Sequence, residues 1–463
     1  MKCHYCWQYS NLRQVKIQIL MKRILVIGAG RSSTTLINYL IETCETHNWS
    51  LTVADSDVNL AEQKTQHSDC AKAVQLDVND DAIRQSLIQD KDIVVSLLPA
   101  FLHPIVAKDC LLYGIHLLTA SYLNQEIRDM ESLAKEKGLL FMGEMGLDPG
   151  IDHMSAMQKI NEIKAEGGTL DAFYSYTGGL IAPESDDNPW SYKFTWNPRN
   201  VVLAGQGVAQ YQRDGIIKYI PYQRLFSQRK VIQVPDLGDY DVYANRDSLP
   251  YKALYEIDDI PTILRGTIRA SGFCDAWAAL VQIGLTDNSY DIDLSKIKTY
   301  KDLIQSYVGG DADDVKAGVL SLLNISEDSE VFQKIAWLGL FTDKAINLDK
   351  ATPALALEAL LLEKWSLKPT DKDMIIMQHQ FEYTLNGQSH KLISSMVTIG
   401  EDAVNTSMAK TVGLPVAILV KLVLLDQVKI TGVHIPVMAE VYEPVLEELK
   451  SYGIDFIDEL EVK

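Results

Sequence analysis

The sequence predicts an α/β protein that begins with a doubly wound parallel sheet, and three observations support this fold class. The run RILVIG at residues 23–28 is continuously apolar and β-branched, which is typical of a strand buried on both faces of a parallel sheet. Glycines follow it at once, and apolar residues then recur at helical spacing between residues 36 and 41. LTVAD at residues 51–55 predicts a second strand, which completes a βαβ unit.

The alternation of strands and helices continues to about residue 145. Further strands are predicted at residues 73–76, 93–99, 116–119 and 139–142, and a helix is predicted around residues 106–112. Because alternating strands and helices favour parallel pairing, we predict a first α/β domain at residues 21–146.

The pattern changes after residue 146. Aromatic stretches such as FYSYTGG and YKFTWNP alternate with polar loops, which predicts an α+β domain at residues 147–290 and 368–411. Amphipathic blocks such as ALALEALLLEKW predict a helical insertion at residues 291–367. Residues 374–399 alternate around Asn386-Gly387, which is a strong hairpin signal, and we expect this hairpin to rejoin the middle sheet.

The C-terminal segment is expected to return to the first domain. Residues 413–425 (GLPVAILVKLVLL) are too few to span a bilayer and are interrupted by Pro415 and Lys421, so they predict a buried helix. Residues 428–435 (VKITGVHI) predict a strand that completes the first sheet. We therefore assign about residues 412–463 to the first domain.

Composition limits the classes of function. The chain has 463 residues, 47% of them hydrophobic, and can bury more than one core. Its formal net charge of −19 repels phosphate backbones and anionic lipids, so we expect a small-molecule substrate, with no nucleic-acid partner and no membrane partner. The six cysteines are scattered and no secretory signature is present, which favours reduced thiols in a cytoplasmic protein.

The first twenty residues lack the features of a signal peptide, and Met21 directly precedes the first strand. We therefore expect residues 1–20 to be a disordered or misassigned extension. Within it, Cys3-His4-Tyr5-Cys6 has a spacing typical of metal ligands but lacks a second ligand pair nearby, so no metal site is predicted.

A glycine-rich loop at residues 28–33 (GAGRSS) follows the first strand. Gly28 and Gly30 permit a tight turn and a close approach to a pyrophosphate, which the N-terminus of the next helix also favours. Ser33 stands where the third glycine of the usual motif would be. Because the loop lies between a buried strand and a helix, it predicts a Rossmann dinucleotide-binding domain.

Asp55 ends the second strand, where a carboxylate binds the adenosine ribose hydroxyls of NAD and repels the phosphate of NADP. NAD is therefore favoured. In the alternative, Asp55 only caps a turn, and Arg31 or another nearby cation accepts the phosphate of NADP.

Eight segments together resemble the saccharopine dehydrogenases that release L-glutamate, also called saccharopine reductases. They are SLLPAFLHPIVAK (96–108), TASYL (119–123), GEMGLDPGIDHM (143–154), SYTGGLIAPE (175–184), NPWSYKFTWNP (188–198), YANRDSLPY (243–251), RGTIRASGF (265–273) and MAKTVGLP (408–415). The resemblance covers nearly everything after Met21. It implies a homodimer in which the middle α+β domain binds substrate and dimerises.

The resemblance also implies a reaction. In this family, hydride transfer to the nicotinamide oxidises the secondary amine saccharopine, and hydrolysis of the imine gives L-glutamate and 2-aminoadipate 6-semialdehyde. Lysine metabolism is the implied pathway. Asp55 and the SLLPAFLHPIVAK stretch favour the NAD-dependent, catabolic type over the NADP-dependent biosynthetic type.

The implied substrate contacts are Ser121, Tyr122, Asp148, Arg246, Thr267, Ile268 and Arg269. Saccharopine carries three carboxylates, so Arg246 and Arg269 are the predicted anchors, unless they are solvated surface residues. Asp148 and Tyr122 are the predicted catalytic residues. Asp148 would hold the cationic amine or steer water, and Tyr122 would orient the substrate or pass a proton.

The predicted dinucleotide contacts come from the ends of several strands. They are Gly28, Gly30, Arg31, Ser32, Ser33, Asp55, Ser56, Asp77, Val78, Ser96, Leu97, Leu98, Thr119, Ala120, Ser121, Leu147, Asp148 and Pro149.

Four other positions carry a weaker signal. Lys193 would either bind substrate or lie on a solvated strand, and His103 and His153 are predicted to be structural. The family commonly has cysteine where Thr177 stands, so a mechanism that needs a thiol there is in doubt.

Two other functions share the cofactor half. One is a dehydrogenase that makes a carboxylated or plain polyamine, which would not need both arginines. The other is a non-catalytic dinucleotide-binding protein, in which Asp148, Arg246 and Arg269 would be lost while Gly28 and Gly30 remained.

Overall fold

The computed structural model describes residues 21–309 and 314–462. Our predictions for residues 1–20, including the Cys3-His4-Tyr5-Cys6 motif, lie outside this range. Two sheets organise the described chain: one has seven strands, and the other has nine.

The first part of the chain alternates strands with helices. Its elements are β1 (Arg23–Ile27), α1 (Thr34–His47), β2 (Ser50–Asp55), α2 (Val58–Thr65), β3 (Ala71–Gln75), α3 (Asp81–Ile88), β4 (Ile93–Ser96), α4 (His103–Tyr113), β5 (His116–Thr119), α5 (Gln125–Arg128), α6 (Glu131–Glu136) and β6 (Leu140–Met142). The predicted strands of the first domain are thus confirmed.

The middle part carries the longer strands. Its elements are α7 (Ile151–Ala165), β7 (Thr169–Ile181), α8 (Pro198–Val202), β8 (Val208–Arg213), β9 (Ile216–Pro221), α9 (Tyr222–Leu225), β10 (Lys230–Val234), β11 (Gly238–Ala244), α10 (Tyr251–Leu254), β12 (Thr262–Ala270) and α11 (Phe273–Ile283).

Helices, a hairpin and a mixed C-terminal segment follow. They are α12 (Tyr300–Gln305), α13 (Val315–Leu323), α14 (Glu330–Leu338), α15 (Pro353–Lys364), β13 (Asp373–Leu385), β14 (Gln388–Ile399), α16 (Ser407–Leu424), β15 (Gly432–His434), α17 (Ala439–Lys450) and β16 (Ile457–Val462).

The first sheet is parallel throughout, in the order β15-β6-β5-β4-β1-β2-β3. The chain runs from β1 outward through β2 and β3, and then crosses to β4 on the other side of β1. This reversal of winding opens a crevice at the carboxyl ends of β1 and β4, the place where doubly wound sheets bind ligands. The strands are apolar because helices cover both faces.

The second sheet is mixed, with the main order β10-β11-β12-β7-β13-β14-β16. β12 and β7 pair in parallel, and the other pairs are antiparallel. The hairpin predicted at Asn386-Gly387 is confirmed: β13 and β14 pair along their length, and β13 also pairs with β7. The hairpin thus rejoins the middle sheet as expected.

A second core lies between this sheet and helices α11 to α15. Trp190, Trp277 and Trp365 pack within it against Phe273. Of these side chains, Phe273 also packs against Arg269, a residue of the site described below.

The C-terminal segment divides between the two sheets. β15 joins the first sheet beside β6, as predicted. β16, however, pairs with β14 at the edge of the second sheet, so assigning all of residues 412–463 to the first domain was wrong for the last strand. The reason is that β14 has a free edge, and strand pattern alone does not specify which sheet a strand joins.

Helix α16 confirms the predicted buried helix. It is the one helix of the described chain that is long and apolar enough to cross a membrane by length and composition, and 83% of it is buried within the protein. It packs on α1 from one sheet and on β13 from the other. The helix therefore holds the two halves of the molecule together.

Candidate active site

The glycine loop that follows β1 forms one side of the crevice between β1 and β4. Gly28 has a φ of +111°, and a Cβ there would lie 3.1 Å from the carbonyl oxygen of Leu97. Only glycine fits this conformation without strain. The loop leads through a short 3-10 turn, Arg31–Ser33, into α1, whose N-terminus supplies free backbone N–H groups. The arrangement therefore fits the pyrophosphate of a dinucleotide.

Lys64 on α2 braces this loop. Its Nζ donates to the carbonyl oxygen of Gly30 at 2.6 Å and to Oγ of Ser33 at 2.7 Å, and Ser33 Oγ itself donates to Gly30 at 2.8 Å. Burial lowers the pKa of Lys64 to about 8, although the Asp55 carboxylate opposes the shift. Ser33 thus closes the loop through its hydroxyl at the position of the missing third glycine. Sequence analysis missed Lys64, which lies in the helix that follows Asp55.

Asp55 both ends β2 and caps the loop. Its Oδ2 accepts from the N–H of Ala29 at 2.6 Å, and its Oδ1 accepts from the N–H of Asp57 at 2.9 Å. The carboxylate is half-buried and lies at the crevice. Turn capping and the predicted ribose contact are therefore compatible roles.

The other predicted dinucleotide contacts differ in exposure. Ser56, Asp77 and Arg31 are exposed, whereas the side chain of Val78 is buried. Ser96 and Thr119 are also buried, and their hydroxyl oxygens lie 2.8 and 3.5 Å from the ring nitrogens of His103.

His103 is structural, as predicted. Burial lowers the pKa of its ring to about 4. It therefore links the ends of β4 and β5 as a neutral group. Leu97, Leu98, Ala120 and Ser121, which follow these two strands, are half-buried at the crevice.

The predicted catalytic residue Asp148 follows β6, in the loop before α7. Arg265 on β12 donates through Nη2 to Asp148 Oδ1 at 2.5 Å and to Asp152 Oδ2 at 2.6 Å. One guanidinium nitrogen therefore holds two carboxylates. The Asp148 side chain is 18% exposed, whereas the Asp152 side chain is fully buried, so Asp148 is the member of the pair that can meet a ligand.

The two carboxylates are electrostatically unequal. Burial raises the pKa of Asp148; Arg265 counteracts that shift, and the negative charge of Asp152 adds to it. Burial also acts to raise the pKa of Asp152, but His153, Arg265 and the N–H of Gly150 outweigh it and lower this pKa below the ordinary value. Asp152 is thus the fixed anion, and Asp148 is the group poised to gain or lose a proton.

Tyr122 and Tyr251 surround this cluster. The Arg265 guanidinium carbon lies 4.0 Å from the centroid of the Tyr251 ring, which stabilises the buried cation. Tyr122 is 40% exposed, yet the protein around its phenol and the nearby Asp148 charge raise the pKa to about 12. Tyr122 therefore keeps its proton at neutral pH and can donate a hydrogen bond.

A buried pair holds the two loops of the site together. His153 lies 3.0 Å through Nε2 from Glu144 Oε2, and 2.8 Å through Nδ1 from the Tyr255 hydroxyl. Glu144 also accepts from the N–H of Leu123, which follows Tyr122 in the chain. His153 therefore has the structural role predicted for it.

Arg269 lies four residues beyond Arg265 in β12, so the two side chains are on the same face of the strand. It is 3% exposed, and its guanidinium carbon lies 5.2 Å from the Tyr192 ring centroid and 5.5 Å from that of Phe273. Within residues 21–309 and 314–462 it pairs with no carboxylate, and its Nε has no hydrogen-bond partner. An unpaired buried cation is costly, so this arginine fits a ligand anion.

The remaining predicted substrate residues divide into two groups. Arg246 is exposed, and its charge, with that of Arg269, acts to lower the pKa of Tyr243. Arg269 is the nearer of the two, with its guanidinium carbon 5.9 Å from the Tyr243 ring centroid. Thr267 is half-buried on the same strand face as Arg269.

Ile268 and Lys193 required correction. The side chain of Ile268 is fully buried in the core on the opposite face of β12, because neighbouring residues of a strand point to opposite faces. Only its main chain can face a substrate. Lys193 neither binds at the cleft nor lies on a solvated strand: it is 2% exposed and pairs with Asp187 and Asp371 at 2.9 and 2.7 Å.

Comparison with known proteins agrees with this geometry. The family model described as the saccharopine dehydrogenase NADP binding domain matches residues 24–142, and that of the saccharopine dehydrogenase C-terminal domain matches residues 146–454. The chain belongs to the saccharopine dehydrogenase family. It is therefore a nicotinamide-dependent oxidoreductase that acts on a CH–NH group.

Individual relatives cover nearly the whole chain. It is 34% identical to saccharopine dehydrogenase [NADP(+), L-glutamate-forming] of Saccharomyces cerevisiae, over 94% of this chain and 98% of the relative. It is 33% identical to the α-aminoadipic semialdehyde synthase of Arabidopsis thaliana but spans only 45% of that protein. The apo structure of the S. cerevisiae dehydrogenase superposes with a TM-score of 0.87 at 33% identity, covering 95% of this chain and 100% of the other.

Besides Lys64, two residues of the site were missed from sequence. Arg265 and Asp152 both lie inside quoted family segments, RGTIRASGF and GEMGLDPGIDHM. Spacing from the predicted site residues could have indicated both. Asp152 follows Asp148 by four residues, and Arg265 precedes Arg269 by four residues on the same face of a strand. Within the described chain no group of three or more His, Cys, Asp or Glu residues could hold a metal ion.

Proposed function

We propose that this enzyme is a saccharopine dehydrogenase of the L-glutamate-forming type. It would interconvert L-saccharopine, water and an oxidised nicotinamide dinucleotide with L-glutamate, 2-aminoadipate 6-semialdehyde, the reduced dinucleotide and a proton. The observation that carries the proposal is the placement of Arg269 and the Asp148–Arg265 pair along one face of β12. Four residues of strand span about 13 Å. This spacing suits a substrate whose secondary amine lies between two amino-acid ends.

Each side chain has a distinct part in this chemistry. When bound, the nicotinamide accepts a hydride from the carbon beside the amine. Arg269 holds a substrate carboxylate, and fixing that end orients the C–H bond. Asp148 stabilises the cationic amine when ionised, and its raised pKa lets it exchange a proton near the reacting nitrogen. Tyr122 donates a hydrogen bond at the mouth of the site.

The reaction is tested by absorbance of the reduced dinucleotide at 340 nm, with purified protein, saccharopine and either NAD or NADP. Glutamate is measured in parallel. We expect both to appear in equal amounts. If folded protein that binds the dinucleotide gives neither product, the saccharopine assignment is wrong, and polyamine-type substrates are tried next.

We propose NAD as the preferred cofactor. The half-buried Asp55 carboxylate at the end of β2 and the adjacent Asp57 would repel the extra phosphate of NADP. The description of the family model and the names of the fungal relatives favour NADP instead. The ratio of kcat/KM for the two cofactors decides between them: a ratio in favour of NADP would overturn the Asp55 argument and leave the reaction intact.

Direction, assembly and location are further proposals. We propose that the enzyme works in the catabolic direction, as a homodimer, in the cytoplasm. The four cysteines of the described chain are free thiols, which supports a reducing compartment. Light scattering on a sizing column would show a dimer mass of about twice the 51.8 kDa chain, and a monomer mass would contradict the assembly.

A further inference from the structure

Three buried hydroxyl groups lie near Arg269 without hydrogen-bond partners. They belong to Thr177, Tyr192 and Thr195, and none of the three has a partner among the described residues. Their exposed fractions are 7%, 0% and 4%. Buried polar groups are normally hydrogen-bonded, and leaving one unpaired is destabilising. Three such groups therefore need an explanation.

The strand register brings these groups together. Thr177 on β7 lies opposite Thr267 on β12 in their parallel ladder. Two residues further along, on the same face, β7 carries Gly179 and β12 carries Arg269. A Cβ on Gly179 would lie 2.7 Å from the methyl carbon of the flexible Met408 side chain and 3.4 Å from the Thr195 hydroxyl oxygen.

Tyr192 approaches the same point from the segment that precedes α8. Its ring lies 5.2 Å from the Arg269 guanidinium carbon. The Arg269 guanidinium thus lies beside the Tyr192 ring, and the Thr195 hydroxyl and the Met408 methyl lie at Gly179, which, like Arg269, is two residues beyond the paired threonines of the ladder. Arg269 Nε also lacks a hydrogen-bond partner among the described residues, so this region holds four buried donors without acceptors.

We infer that Thr177, Tyr192 and Thr195 form, with Arg269, a binding pocket for one α-amino-acid carboxylate of the substrate. Each hydroxyl and the guanidinium would donate to the carboxylate oxygens, which have about four acceptor positions. Binding would satisfy the orphaned donors and neutralise the buried cation at once. This inference rests on the proposed function and adds the hydroxyl groups that select for a carboxylate at this end.

The test removes single hydroxyls while keeping shape. Tyr192→Phe and Thr195→Val are compared with Thr195→Ser, which restores a hydroxyl. Tyr222→Phe is the matched control, because the Tyr222 hydroxyl is also buried with no partner among the described residues but lies in a separate pocket beside Val281 and Gly284, at the C-terminal end of α11. Calorimetry measures the affinity of each protein for L-glutamate and for L-2-aminoadipate in the presence of the dinucleotide, so that the readout does not depend on turnover.

We expect Tyr192→Phe and Thr195→Val each to weaken the binding of at least one of these amino acids about tenfold or more, since hydrogen bonds to charged groups are strong. The affinity for the dinucleotide should be unchanged in every variant. The Thr195→Ser and Tyr222→Phe proteins should bind both amino acids as tightly as the wild-type protein. If all variants bound both amino acids with the affinity of the wild-type protein, the inference of a carboxylate pocket would be wrong. Wild-type protein that binds these amino acids but does not oxidise saccharopine would contradict the proposed function and leave the pocket standing.

Discussion

At the scale of single residues, the site depends on charges placed where water is scarce. Arg265 serves two carboxylates and Arg269 serves none within the described chain, although both lie on one face of β12. The pairing of Arg265 with Asp148 and Asp152 influences the pKa of both carboxylates. Arg269, in contrast, is free to bind an anion of the substrate.

Replacing Asp152 with asparagine is expected to lower the pKa of Asp148, because the negative charge of Asp152 raises it. If Asp148 acts ionised, kcat/KM falls as pH drops through its pKa, so the acid limb of the pH profile should move to lower pH. Asp171→Asn, at an exposed position of β7, is the control and should leave the limb in place. An unmoved limb in Asp152→Asn would show that Asp148 does not govern the profile.

Replacing Lys64 with methionine is expected to weaken dinucleotide binding roughly tenfold at pH 7, because the ammonium ion braces Gly30 and Ser33. The pKa of Lys64 is about 8, so the wild-type protein loses this charge as pH rises. Wild type and variant should therefore converge above pH 9 in fluorescence titrations. Lys135→Met, on the exposed side of α6, should match wild type throughout.

At the scale of elements, α16 determines whether the two sheets stay together. Leu419 in this helix is fully buried, in a core shared by residues of both sheets. Leu419→Ala is expected to lower the free energy of unfolding by about 2–5 kcal/mol, the usual cost of a cavity at such a site. Chemical denaturation measures the loss.

Leu133→Ala is the matched control for this helix. Leu133 is 51% exposed on α6, so its truncation should change the free energy of unfolding by less than about 0.5 kcal/mol. Similar losses in the two variants would mean that α16 is not a major contact between the halves.

At the scale of the whole molecule, an acidic protein must admit an anionic substrate. The net charge of −19 repels saccharopine at long range, whereas Arg246 and Arg269 attract it only nearby. Raising ionic strength from about 0.01 to 0.15 M shortens the screening length from roughly 30 to 8 Å. We therefore expect KM for saccharopine to fall over this range. A rise in KM would show that local attraction outweighs the net charge, and sucrose at equal osmolality controls for solute effects.

The sequence by itself determined the parts of this protein that depend on neighbours in the chain. RILVIG followed by glycines fixed the cofactor half, and Asn386-Gly387 fixed the hairpin, because turn and strand preferences act over a few residues. The family segments also contained Asp148, Arg246 and Arg269.

Only the tertiary structure decided which distant groups meet. The pairing of Arg265 with Asp148 joins residues 117 apart in the chain. The brace from Lys64 to Gly30, and the choice of β14 as the partner of β16, are likewise long-range contacts. Periodicity specifies which face of a strand or helix a residue occupies, but not what packs against that face. Register and packing supply that information, and they exist only once the chain has folded.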